Sequence, residues 1–79
     1  MKQPQQVLPK RRRIASHELL TENGQTLPMQ VVEIVSGRVV DYYKLQQELA
    51  HTEWLAGCTT LCRDAFGHLC AYHEGKKIE

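Results

Sequence analysis

The chain has 79 residues, 10 Lys and Arg against 9 Asp and Glu, 42% hydrophobic residues and 24% charged ones. That length allows one domain with a small core, because a chain this size buries only about 60–65% of the surface its unfolded form exposes. It excludes a (β/α)8 barrel or a dinucleotide-binding enzyme domain, and ordinary apolar content with a net charge of +1 argues against full disorder. No run approaches the about 18 apolar residues of a membrane span, and Met1-Lys2-Gln3-Pro4 has no apolar signal-peptide core. A cytoplasmic location without membrane association is therefore expected.

Residues 1–9 carry two prolines and three glutamines without periodicity and read as a flexible arm. Four adjacent cations, Lys10, Arg11, Arg12 and Arg13, extend the arm to residue 13, and one small β domain is expected over residues 14–79. Glu22-Asn23-Gly24-Gln25 is a turn signal, since Asn and Gly tolerate left-handed backbone. It favours strands on either side, over residues 14–21 and 26–30.

The best-defined element is a β-hairpin. Its arms are Gln30-Val31-Val32-Glu33-Ile34-Val35 and Arg38-Val39-Val40-Asp41-Tyr42-Tyr43, both dense in β-branched or aromatic residues. Gly37 supplies the positive φ of the turn. A two-residue turn at Ser36-Gly37 pairs Ile34 with Val39 but sets Val32 against Asp41. A type I turn with a Gly37 bulge pairs Ile34 with Arg38, Val32 with Val40 and Gln30 with Tyr42. The second register gathers Val32, Ile34, Val40 and Tyr42 on one face and is preferred, because a one-residue slip scrambles that sorting.

Residues 44–51 hold helix formers, with Leu45 and Leu49 four apart, and predict one short helical turn or an ordered loop. Trp54, the one tryptophan, is expected to plug an open end of the core. A second hairpin joins Thr59-Thr60-Leu61-Cys62-Arg63 to His68-Leu69-Cys70-Ala71-Tyr72-His73. Asp64 and Gly67 suit the ends of a type I turn with a bulge, which sets Cys62 opposite Cys70 and Thr60 opposite Tyr72. Residues 74–79 can turn once more into a short last strand. The predicted fold class is all-β, with five or six short antiparallel strands in a small sheet, sandwich or barrel.

Three constellations bear on chemistry. Cys58, Cys62, Cys70 and His73 have zinc-like spacings, and a structural zinc module is one alternative. Against it, Cys62 and Cys70 lie in strand patterns, and Cys70 and His73 should point to opposite faces. The expectation is no metal, no cofactor and reduced thiols, the cysteines acting as small half-buried hydrophobes. Neither a pocket nor an oxyanion site marks a Cys/His nucleophile, so an enzyme is not expected.

Lys10, Arg11, Arg12 and Arg13 form the second constellation. They could neutralise phosphates, which makes a nucleic-acid-binding module the other alternative. The charge balance lacks a second basic stripe, and stacking aromatics do not interleave the run, so nucleic acid is not the expected partner. The acidic residues, Glu33 and Asp41 among them, read as surface.

The third feature is apolar excess. Val31, Val35 and Val39 fall on what should be the solvent face of the first hairpin, with Tyr43 on the same side. A free-standing sheet this small does not cover two apolar faces, which predicts burial against another copy. A two-fold dimer is favoured, with Val31, Val35, Val39 and Tyr43 as its interface.

Ile14-Ala15-x-x-x-Leu19-Leu20-Thr21, then Gly24, then Val31-Val32-Glu33-Ile34-x-x-Gly37-Arg38-Val39-Val40 resembles the opening strands of amidohydrolase-superfamily enzymes. Those enzymes place a small β-subdomain before their catalytic barrel. The resemblance covers residues 14–45 and stops there, because the His-x-His metal motif and the barrel that should follow are both missing. It implies a stand-alone version of the non-catalytic β-subdomain and carries over no catalytic or metal residue. The sequence reading is thus a non-enzymatic, self-associating interaction or accessory module.

Overall fold

The computed structural model describes residues 10–47 and 50–79. Its strands are β1 (Arg11–Leu20), β2 (Thr26–Val35), β3 (Arg38–Lys44), β4 (Thr52–Arg63), β5 (Leu69–His73) and β6 (Lys76–Lys77). They form one six-stranded sheet in the order β3-β2-β1-β4-β5-β6. The fold is all-β, as expected, and the sheet curls into a half-barrel. It is not antiparallel throughout, because β4 runs parallel to β1. The β2–β3 hairpin occupies one side of β1, so the chain must cross β2 and β1 to reach the free edge.

β1 begins at Arg11, so the arginines assigned to an arm are strand residues. Residues 1–9 lie outside the described residues. The first turn follows the sequence reading: the Thr21 amide donates to the Gln25 carbonyl at 2.8 Å, and Gly24 takes a φ of 84°. Residues 26–35, read as two segments, are one strand. The helical turn is not observed among the described residues of the 44–51 segment, and Leu49 lies outside them.

The β2–β3 register differs from the preferred one. Val35 pairs with Arg38 and Ile34 with Val39 around Ser36 and Gly37, whose φ values of 52° and 75° match a two-residue type I′ turn. The bulge lies further on, at Val40, and sets Val32 opposite Tyr42 and Gln30 opposite Lys44, each two residues beyond the predicted partner. Moving the extra residue from the turn into the strand sets Val39, not Val40, beside Ile34 against the core and leaves Val40 exposed. The β4–β5 hairpin matches its prediction, with Cys62 opposite Cys70, Thr60 opposite Tyr72 and Arg63 opposite Leu69. Its turn is held by the Asp64 carboxylate, which accepts from the Phe66 and His68 amides at 2.8 and 2.9 Å.

The core joins Ile14, Leu19, Val32, Ile34, Leu61, Ala71 and Ile78. Strand alternation alone would place Ile14 and Leu19 on opposite faces. The change of face occurs near Ser16, where the β1–β4 register shifts, and beside Met29, which adopts a φ of 49°. This switch lets both halves of the long strands feed the same concave interior. Ile78 closes it, its amide donating to the Ala71 carbonyl at 2.8 Å.

Candidate functional site

Alternation along β1 splits the basic run between the two faces of the sheet. Arg12 lies on the concave side and donates from Nε and Nη2 to Glu53 at 2.8 and 2.6 Å, while its Nη1 reaches the Glu79 carbonyl at 2.7 Å. The fork raises the Arg12 pKa and holds the Glu53 carboxyl below its ordinary value. Arg11 and Arg13 lie on the opposite, convex side and converge on Glu33. Arg11 Nη1 donates to Glu33 Oε1 at 2.8 Å, and Arg13 Nε stands 3.5 Å from Oε2.

Glu33 is the residue that sequence reasoning placed wrongly. It is buried, with only 7% of its surface exposed, and accepts a short hydrogen bond from the Tyr43 hydroxyl. That bond is the main reason its carboxyl sits below the usual range. Burial opposes the shift, and Arg11 reinforces it. Tyr43 is pushed up, first by its own burial and then by the bond to Glu33. The available sequence signal was a carboxylate inside the apolar run Val31-Val32-Glu33-Ile34-Val35, where a surface residue is out of place.

The four interface candidates do not share a free face. Val31 is fully buried and Val39 packs against the core through its pairing with Ile34, whereas Val35 and Tyr43 are half-buried. On the convex side Tyr43, Val31, Ala15 and Trp54 stand in register across four adjacent strands. The connection between β3 and β4 meets the sheet at both of its described ends. Its described ends are tied by the Leu45 amide to the Met29 carbonyl at 2.8 Å, and by Arg13 to the Ala50 carbonyl at 3.4 Å. The second apolar face is therefore not free along its length. Val31 and Ala15 in that row are 0% and 2% exposed.

Trp54 is not a core plug. It sits at the rim of the row, 48% exposed, and its ring meets His17 edge-on at 4.7 Å. Its partner Ala15 is on the convex side, so the ring faces away from the interior.

The cysteines and His73 are not brought together as a metal site. Cys58 and Cys62 are exposed and Cys70 is buried. His73 pairs with Thr59, three residues from Cys70 along β5 and hence on the other face, and its Nε2 lies 2.7 Å from the Ala56 carbonyl. Among the described residues no group of three or more His, Cys, Asp or Glu could hold a metal ion. No described helix is long and apolar enough to cross a membrane.

What remains exposed and apolar near a strand edge is on β3. Val40 and Tyr42 are 50% and 38% exposed and, with Val39, Asp41 and Leu69, line a shallow cleft on the β5-facing side of the half-barrel. No protein-family model, curated protein or solved structure matches the chain.

Proposed function

We propose that the chain is a small cytoplasmic interaction module, without enzymatic activity, that pairs with a second copy along β3. One observation carries this reading. β3 is the outermost strand on its side of the sheet, with Val40 and Tyr42 exposed along it. Such an edge leaves amide and carbonyl groups ready to pair with another chain.

The other outermost strand, β6, is only two residues long and made of lysines. One long edge and one blunted edge favour a closed two-fold pair over an open-ended fibre. Arg38, Asp41 and Lys44 interrupt the apolar residues of β3 at every third position and limit the registers it accepts. The interface is thus moved from the valine face, where Val31 is fully buried, to the strand edge beside it. The likeness of residues 14–45 to a non-catalytic β-subdomain agrees with a module that lacks a reaction centre.

Sedimentation velocity of the full chain over a wide concentration range tests the proposal. A concentration-dependent dimer is expected, and Val40→Lys should return it to monomer with the circular dichroism unchanged. A wild-type chain that stays monomeric at the highest attainable concentration overturns the self-associating reading.

A further inference from the structure

We propose that the convex side of the β1 N-terminus is a binding site for a phosphate monoester group, held by Lys10, Arg11, Arg13 and His51. Among the described residues, these four line an open depression of about 390 Å³ beside the turn that enters β4. The nearest buried carboxylate, Glu33, is shared by two guanidinium groups. Among the described residues, Lys10, Arg11 and Arg13 therefore set three positive charges around this one carboxylate.

Two further carboxylates stand nearby among the described residues. Glu53 lines the neighbouring depression together with Lys10 and Arg11 and is engaged through both oxygens by Arg12. Asp41 pairs with Glu33 across β3 and stands two strands from β1.

The two guanidiniums have donors to spare. Arg11 makes one bond to Glu33, and its side chain is 56% exposed. Arg13 keeps its buried Nε toward Glu33 at 3.5 Å, and among the described residues its Nη1 makes only the 3.4 Å bond to the Ala50 carbonyl. Glu33 thus fixes the position of both forks while using few of their ten N–H groups, counted at about five per guanidinium. His51 borders them in a left-handed conformation with a φ of 56°, the kind of backbone that concentrates at ligand clamps.

Two forks, an ammonium and an imidazole offer more donors than a carboxylate can accept, and suit the three terminal oxygens of a phosphate monoester. A nucleic-acid track fits less well. Arg12 is turned to the other face, and no aromatic ring on which a base could stack lines the depression.

The test is titration of the full chain with inorganic phosphate in low-salt buffer, read by backbone amide shifts. Saturable binding centred on residues 10–13 and 50–53 is expected. Lys10→Gln and His51→Gln, which leave Glu33 paired, should each weaken phosphate binding about fivefold to tenfold, while Lys76→Gln leaves it unchanged. Arg13→Gln should weaken it further, and a folded circular dichroism spectrum makes that loss attributable to the site. Should Arg13→Gln unfold, the Lys10 and His51 variants decide alone. A 5′-phosphorylated dinucleotide should compete, and its unphosphorylated form should not. Unsaturable binding, equal weakening by Lys76→Gln, or equal competition by the unphosphorylated dinucleotide overturns the proposal.

Discussion

The Tyr43 hydroxyl on β3 donates to the Glu33 carboxylate on β2, joining the edge strand to the charged network at the start of β1. The pair is diagonal across the strands, since Tyr43 stands opposite Val31 and Glu33 opposite Asp41. A buried carboxylate is tolerated here because Tyr43 and Arg11 occupy both of its oxygens.

Acid should weaken the fold through Glu33. Its carboxyl is held below the ordinary value in the folded chain, so the unfolded chain binds the proton more readily. Its contribution is fully present above the ordinary carboxyl range and is lost as pH falls through and below that range. Glu33→Gln should cost about 1–3 kcal/mol near neutral pH and progressively less in acid. Urea unfolding of both chains across that range checks the convergence.

The type I′ turn predicts opposite effects at its two central residues. Gly37→Ala forces a side chain into left-handed backbone, and its Cβ would stand 3.3 Å from Glu79 Oε2 and 3.4 Å from Lys77 Nζ. A loss of about 1–2 kcal/mol is expected in thermal or chemical melts. Ser36→Asn places a residue that favours left-handed backbone at a φ of 52° and should raise stability slightly.

Trp54 and Leu19 separate rim from core. Leu19 is fully buried, and Leu19→Ala should cost about 2–5 kcal/mol. Trp54→Ala should cost less, because the ring keeps 48% of its surface exposed. Acrylamide should quench the native tryptophan emission readily, and its maximum should lie close to that of the unfolded chain.

Thr59 is wholly buried, and its hydroxyl has no hydrogen-bond partner among the described residues. Thr59→Val removes the unsatisfied group at similar volume and should stabilise the chain by about 1 kcal/mol. An upward shift of the urea midpoint with an unchanged slope is the expected result.

The thiols should label in two classes. Cys58 and Cys62 are exposed and Cys70 is buried, so brief alkylation of the native chain should add two groups, and alkylation after unfolding three. Mass spectrometry distinguishes the two. A chelator should leave both the labelling and the melting temperature unchanged, since the described cysteines and His73 are not gathered about a common centre.

Local chemistry is what the sequence determined. Asn23-Gly24 and Asp64 with Gly67 specify turns through backbone freedom and carboxylate-to-amide bonds, and the β4–β5 register follows from that turn. Dense β-branched residues specify strands, hence the all-β class. Relations between distant strands were decided only by the tertiary structure. The strand order β3-β2-β1-β4 makes β4 parallel to β1, and Val31, which periodicity left as solvent-facing, is fully buried. The face change near Ser16 and Met29 sends Ile14 and Leu19 into one core against strict alternation. The sites moved for the same reason: an acid among valines and a tryptophan after a loop gain their surroundings from strands far away in the chain. A pattern of period two fixes which neighbours share a face, but not which other strand, loop or charge will lie over it.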